Sequence, residues 1–356
     1  MKVYLIQNTP TAHINEMVNS LEKDGLQTKV FYATSNGEDH HNRNNYYSKK
    51  INFEFIKKIF YSNGLVIITG WMNINMIVLN ILFFVTQKKY FYWTDRPSKV
   101  SSFSFASFKR LASILIMRYS NSFILCVGKT AQEYFQKKGF NKSRLINYPI
   151  LTSCLENKID KNKKVRWRKV NFKIEKDMFL ISSGSRLEYE KGYDLLLKAV
   201  FLIEDTLKEK IKLIIVGNGS QKNNLKELAG ELNLTNNIIF LDWQEIEYFK
   251  EIIAHSDLFI HPSRYDAYGA SIYPLALGVP VLGSSKAGVI IDRVIDGFNG
   301  LVFDPENLND FKSKIEKLIL NNSLISKLGN NALSNSKLHQ PNMYAKTLKK
   351  YEQKFY

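Results

Sequence analysis

Short apolar runs alternate with amphipathic segments along almost the whole of this chain, and few folds accept that pattern. Residues 65–69 read Leu-Val-Ile-Ile-Thr, a run of strand length with almost no polar side chain. A strand that is apolar on both faces belongs inside a parallel sheet covered by helices. Runs at 2–7, 28–33, 89–93 and 123–127 repeat the signal. Between them lie segments with helical spacing. Ile14, Met17, Val18 and Leu21 share one face ahead of Gly25, and 130–138 stops at Gly139. The second half repeats the alternation, with runs at 179–182, 212–216, 238–241, 258–261, 279–283 and 301–303. Helical segments at 192–203, 221–232, 245–255, 272–277 and 308–320 separate them. Such β-α alternation predicts parallel sheets with helices on both faces. A chain of 356 residues exceeds one compact core. The expectation is α/β, with two doubly wound, Rossmann-like domains facing a cleft.

A charge run marks the boundary. Lys158, Lys161, Lys163, Lys164, Arg166, Arg168, Lys169, Lys173 and Lys176 crowd a stretch with few acids and little apolar periodicity. This reads as a solvated connector. The division predicted is an N-terminal domain over 1–155 and a basic linker over 156–177. A C-terminal domain follows over 178–338. The last segment, 339–356, is expected to form a helix crossing back to the N-terminal domain.

Composition narrows the function. The net charge of +17 fits nucleic acid, an anionic membrane surface or a nucleotide diphosphate as partner. No helix-turn-helix, zinc-finger or RNA-recognition signature accompanies the charge, so nucleic acid is not expected. The six histidines lack metal-ligand spacing, and neither a metal nor a cofactor is expected. Cys126 and Cys154 make no CxxC pair, which favours a reducing compartment. Residues 1–8 form a strand-like start rather than a secretory signal. The apolar stretch 74–85 carries Asn75 and Asn80 and is shorter than the ~20 residues of a membrane span, so it reads as a buried helix. Residues 102–119 combine Phe103, Phe105, Phe108, Leu111, Ile114 and Leu115 with Lys109, Arg110 and Arg118. That basic apolar helix either lies on an anionic bilayer or packs within its domain. A cytoplasmic protein on the inner face of the plasma membrane is the expectation.

Three loops after strands of the second half carry the chemistry. The first runs from Ser182 through Gly184, Ser185, Arg186 and Lys191 to Gly192. Small residues let backbone approach a ligand, Arg186 offers a bidentate fork for phosphate and Lys191 a point charge. A turn with solvated basic side chains is the alternative. The second is Gly217-Asn218-Gly219, weak alone because turns use such pairs constantly. The third runs from His261 through Pro262, Ser263, Arg264, Tyr265, Asp266 and Tyr268 to Gly269, Ala270 and Ser271. Backbone N–H groups of Gly269, Ala270 and Ser271 at a helix start suit a diphosphate. Asp266 is placed to accept from sugar hydroxyls, or simply caps the loop.

The ordered set resembles glycosyltransferase family 4. The motifs are Ser-Arg-Leu-x-x-x-Lys-Gly, Val-Gly-Asn-Gly, Pro-Ser-x-Tyr-Asp-x-Tyr-Gly, Leu-Gly-Val-Pro-Val and Asp-Gly-Phe-Asn-Gly-Leu-Val-Phe, over about residues 179–305. The resemblance implies a GT-B fold, retention of anomeric configuration and no required metal. It implies Arg186 and Lys191 on the donor phosphates, with Gly269, Ala270 and Ser271 offering backbone. Asp266 takes the first acid position of the Glu–seven residues–Glu motif. Gly184, Gly217, Tyr268 and Tyr273 are expected on the sugar and nucleoside side. Two departures stand out. The second acid position falls at Pro274, or at Tyr273 with a one-residue shift, so the ribose must be held differently. Thr94 stands where the family often carries a His, and Thr94 and Asp95 are the catalytic candidates there.

On the acceptor side, Asn8, Trp71 and Arg96 lie at strand ends. Trp71 or Trp93 could stack on a sugar ring, and a packed core aromatic is the alternative. The expected activity is retaining transfer from a UDP- or GDP-sugar to a saccharide acceptor, lipid-linked, in bacterial surface polysaccharide synthesis (O-antigen, capsule or a related glycan). A catalytically silent homologue that binds a nucleotide sugar or a partner enzyme is the alternative.

Overall fold

The computed structural model describes residues 1–8, 11–32, 45–47, 53–69, 74–97, 105–154 and 159–353, with 12, 45–47, 53–55, 74, 75 and 105–109 described by backbone alone. The chain divides into two units, residues 1–151 with 341–356, and residues 152–340.

Unit 1 runs β1 (Lys2–Gln7), α1 (Ala12–Lys23), β2 (Gln27–Tyr32), β3 (Asn45–Tyr47), α2 (Phe53–Phe60), β4 (Leu65–Thr69) and α3 (Ile74–Val85). It continues with β5 (Tyr90–Thr94), α4 (Phe105–Tyr119), β6 (Ser122–Cys126), α5 (Lys129–Lys137) and β7 (Leu145–Asn147). Among the described residues the strands form one parallel sheet in the order β3-β2-β1-β4-β5-β6-β7. The order reverses between β1 and β4, so Asn8 follows a strand at the switch point and Thr94 ends the strand beside it. Strand β5 is buried throughout, as its run Tyr-Phe-Tyr-Trp-Thr demands. Helix α3 buries Met76, Leu79, Asn80 and Phe83, while Val85 is 71% exposed. The expected buried helix is therefore buried on one face only. Helix α4 likewise buries Ile114 and Met117 and exposes Leu111, Leu115 and Tyr119.

Unit 2 runs α6 (Lys161–Phe172), β8 (Phe179–Gly184), α7 (Tyr193–Phe201), α8 (Asp205–Lys208), β9 (Ile211–Val216), α9 (Lys222–Glu231), β10 (Ile238–Leu241) and α10 (Ile246–Ala254). It continues with β11 (Leu258–His261), α11 (Ile272–Ala276), β12 (Val281–Ser284), α12 (Gly288–Arg293), β13 (Gly300–Phe303), α13 (Leu308–Ile319) and α14 (Asn322–Ser336). Its parallel sheet has the order β10-β9-β8-β11-β12-β13, reversing between β8 and β11. The core on one face gathers Leu196, Leu213, Ile260, Leu282 and Ile315 from five elements.

The basic stretch expected to be a solvated linker over 156–177 is corrected by α6. Asp160 caps it by accepting from the N–H groups of Asn162 and Lys163 at 2.9 and 3.3 Å. Arg168 is buried, donating from Nε to His255 O at 2.6 Å and from Nη2 to Asp257 Oδ1 at 2.7 Å. Trp167 stacks on His255 with centroids 4.3 Å apart. The helix is held by polar contacts and by the rings of Trp167 and Phe172 packed against the core, too few apolar positions to make a stripe.

Helix α15 (Asn342–Glu352) follows unit 2 in sequence and groups with unit 1. The N–H of Leu151 donates to the Tyr344 hydroxyl at 2.7 Å, and Trp93 Nε1 donates to Tyr148 O at 2.9 Å. Tyr148 and Tyr344 meet with ring centroids 5.0 Å apart, and Trp93 packs edge-on against both. Trp93 is thus a packed core aromatic, not an open platform.

Candidate active site

The loops after β8 and β11 lie side by side at the switch point of unit 2. Ser183 Oγ donates to Ile260 O at 2.6 Å, tying the strand ends together. Gly192 sits at φ +68°, and a Cβ there would lie 2.2 Å from Pro262 O, so only glycine permits this approach. Beyond it, the N–H of Tyr265 donates to Glu190 O at 3.2 Å. Arg264 forks onto Asp194, 2.6 Å to each oxygen, and stacks over Tyr189 at 4.2 Å. Segment 188–194 and segment 261–271 therefore form one rigid construction.

At its centre is a buried polar cluster. Lys191 Nζ donates to Asp266 Oδ2 at 2.6 Å. His261 Nε2 reaches the same oxygen at 3.1 Å, and His261 Nδ1 lies 2.6 Å from Ser271 Oγ. Lys191, His261, Asp266 and Ser271 are all buried. Burial opposes ionisation of Asp266, but hydrogen bonding and charge from His261 and Lys191 outweigh it. They hold the carboxyl below its ordinary range. The Asp266 backbone is fixed as well, its carbonyl accepting from Gly288 N at 3.0 Å.

The expected phosphate ligands divide into two kinds. Arg186 is exposed, and its guanidinium makes no side-chain hydrogen bond or ion pair among the described residues. The N–H groups of Gly269, Ala270 and Ser271 likewise donate to no acceptor among the described residues. Lys191 is different, because its ammonium is already engaged by Asp266. The Ser271 hydroxyl is engaged too, leaving that residue its N–H.

Among the expected sugar and nucleoside residues, Gly184 and Gly217 lie together, because Gly184 pairs with Val216 at the neighbouring ends of β8 and β9. A Cβ on Gly184 would lie 2.6 Å from the Phe249 ring, and one on Gly217 would lie 2.0 Å from Ser185 O. Both glycines let the loops pack closely. Tyr268 is buried and directs its hydroxyl to Asp292 of α12 at 3.2 Å. Tyr273 packs towards α10, with Lys250 5.6 Å above its ring. Pro274 occupies the first turn of α11 and is buried, where its missing N–H costs nothing. Sequence reasoning missed His261. The available signal was its spacing, five residues before Asp266 and ten before Ser271.

In unit 1, Thr94 ends β5, buried, and donates to Asp95 O at 3.1 Å. Asp95 and Arg96 follow, and Asn8 follows β1. Trp71 lies outside the described residues. A further residue, His13 of α1, stands edge-on to Trp93 with centroids 6.0 Å apart, its Nε2 3.3 Å from Thr11 Oγ1. Burial lowers its pKa to about 4.

Comparison with known proteins fits this arrangement. Residues 163–334 match the family model described as glycosyl transferases group 1. That match spans just under half of the chain. An uncharacterized glycosyltransferase of Methanocaldococcus jannaschii, MJ1069, is 31% identical over 214 residues, 59% of this chain and 52% of that one. The O-antigen biosynthesis glycosyltransferase WclY of Escherichia coli is 31% identical over 164 residues, 46% of this chain and 43% of its own length. The chain spans about half the length of the curated relatives it matches. The crystal structure of Anabaena Alr3699/HepE in complex with UDP superposes with a TM-score of 0.73 at 16% identity, covering 99% of this chain and 100% of that one. WaaG, a glycosyltransferase involved in lipopolysaccharide biosynthesis, gives 0.71 at 14% identity, covering 98% of both chains. These likenesses show the fold, which is the GT-B architecture.

Proposed function

We propose that the protein is a retaining glycosyltransferase that moves a sugar from a UDP- or GDP-sugar to a saccharide acceptor. The observation that carries this reading is the switch-point construction of unit 2. An exposed Arg186 and three N–H groups at 269–271 stand beside a buried, ionised Asp266. Such a set suits a diphosphate next to a polyhydroxylated ring. The leaving diphosphate is stabilised by Arg186, Lys191 and the backbone donors as the C1–O bond breaks. Asp266 faces the sugar. The acceptor oxygen bonds to C1, and its proton passes to the leaving phosphate. Thr94 and Asp95 are the catalytic candidates of unit 1, and Asn8, Trp71 and Arg96 belong to the acceptor side. The chemistry needs no divalent metal in this proposal.

The acceptor is proposed to be lipid-linked, within bacterial surface polysaccharide synthesis. Support comes from WclY and WaaG among the similar proteins and from the basic chain. No helix among the described residues is long and apolar enough to cross a membrane. Exposed Ile81 and Val85 of α3 and Leu111, Leu115 and Tyr119 of α4 offer a membrane-facing surface, with Arg110 and Arg118 on α4.

A thermal-shift screen of UDP- and GDP-sugars tests the donor, because a bound donor raises the native state's stability. The best-bound donor is then assayed for transfer and hydrolysis with EDTA present. The second reading, a silent donor-binding homologue, draws on Pro274 at the second acid position. Binding without any turnover would favour it.

A further inference from the structure

The ring of His261 spans its own loop. It ends β11 and touches both the acid five residues on and the serine ten residues on, which opens α11. Between those two anchors lie the backbone donors of Gly269 and Ala270. Gly269 makes room for the ring, since a Cβ there would lie 2.4 Å from His261 Cε1 and 2.9 Å from Asp266 Oδ2.

Hydrogen accounting gives the cluster a direction. A carboxylate only accepts, so His261 Nε2 carries a hydrogen towards Asp266. On its other side the ring shares a hydrogen bond with the Ser271 hydroxyl through Nδ1.

Lys191 shares Oδ2 with His261. When an ammonium turns from a buried carboxylate towards a phosphate, the carboxylate loses its strongest partner. His261 is a donor that stays. We propose that His261 is a positioning residue, holding Asp266 aimed at the sugar while Lys191 engages the donor diphosphate. This rests on the donor-site reading above. Among the described residues, the charged and titratable groups acting on Asp266 include Lys191 from the β8 loop, His261 from β11 and Tyr193 from α7.

Two variants separate the ring's two contacts. His261→Gln places an amide N–H near Nε2 and keeps the bond to Asp266. His261→Asn reaches only towards Ser271. With the best-bound donor, His261→Asn is expected to lower kcat roughly ten- to a hundredfold. Its KM for donor should stay within about threefold, because Arg186 and the backbone donors are untouched. The acid limb of its pH–rate profile should move to higher pH, since Asp266 has lost a donor to its ionised form. His261→Gln should recover most of kcat and restore the limb. A second measurement needs no turnover: the Asp266 carboxyl followed by carbon NMR from about pH 7 down to about pH 2, which brackets a carboxyl held below its ordinary range. Its titration should shift upward in His261→Asn and not in His261→Gln. Wild-type kcat with an unmoved carboxyl titration in His261→Asn overturns the proposal. So does equal loss in both variants with no shift, which marks a packing role. A wild type that binds no nucleotide sugar overturns the donor-site reading instead, while the carboxyl titration still decides the His261–Asp266 link.

Discussion

Lys191 Nζ and Asp266 Oδ2 lie 2.6 Å apart inside unit 2, joining two loops 75 residues apart in sequence. Each residue read alone from its motif is a ligand for something else. Together they are also a structural tie, so substitutions here report on stability and chemistry at once.

Lys191→Met leaves Asp266 with His261 as donor. The stability loss should therefore fall below the ~3–5 kcal/mol typical of breaking a buried pair. Lys191→Met with Asp266→Leu removes both charges and should recover part of that loss. Urea unfolding of the two singles and the double completes the cycle. Strict additivity would mean that the pair is not energetically coupled.

Asp266→Asn should lower kcat roughly ten- to a thousandfold, as expected for a charge-assisted contact made mainly in the transition state. Nucleoside diphosphate affinity, measured by calorimetry, should change little because that ligand has no sugar. A defect confined to diphosphate affinity would place Asp266 elsewhere.

Arg186→Ala should do the reverse. Its exposed guanidinium makes no hydrogen bond or ion pair among the described residues, so the circular dichroism and Tm should match wild type. Diphosphate binding should weaken by about tenfold or more, the loss of ~1.5–3 kcal/mol for a charge-assisted bond. Unchanged calorimetric affinity removes Arg186 from the site.

His13 gives unit 1 an acid sensitivity. Its folded pKa of about 4 lies below the ordinary 6.5, so the folded state binds fewer protons between those values. Its contribution is fully present above pH 6.5 and is lost as pH falls towards 4. His13→Gln should lose less Tm than wild type between pH 7.5 and 5. Parallel Tm curves for the two proteins would contradict the burial of His13.

Membrane association should be peripheral and electrostatic. Vesicles with anionic lipid should retain the protein, and salt should release it. Leu111→Ser with Leu115→Ser, both on the exposed face of α4, should weaken retention without lowering Tm. Equal binding to neutral vesicles, or none to anionic ones, contradicts the assignment.

Unit 2 was largely legible because its strands are buried on both faces and end in small-residue loops. Apolar runs and glycines mark such strands without reference to the rest of the fold. Helix α6 was not legible: Arg168 reads as a solvated cation until His255 and Asp257 are brought to it from 87 and 89 residues away. Helix α14 escaped for a related reason. Its Asn- and Ser-rich run favours turns, and only Leu328, Gly329 and Ala332 are buried. At the site, the ligand-like residues were found by type, whereas their pairing was not. Nothing in the sequence separates a lysine bound for phosphate from one already held by Asp266. His261 closes a strand, where a histidine attracts no notice until Ser271 and Asp266 fold back onto it.

The aromatic lock of Tyr344 on Trp93 and Tyr148 has a consequence for biosynthesis. Unit 2 is continuous in sequence, and all its strands leave the ribosome in one stretch. Unit 1 is interrupted, for α15 is translated only after residues 152–340. Until then the ring faces of Trp93 and Tyr148 lack their partner, and the N–H of Leu151 lacks its acceptor. Unit 1 therefore begins before unit 2 and is completed after it. Nascent chains arrested before residue 341 should hold a protease-resistant unit 2 beside a unit 1 that is still open to cleavage.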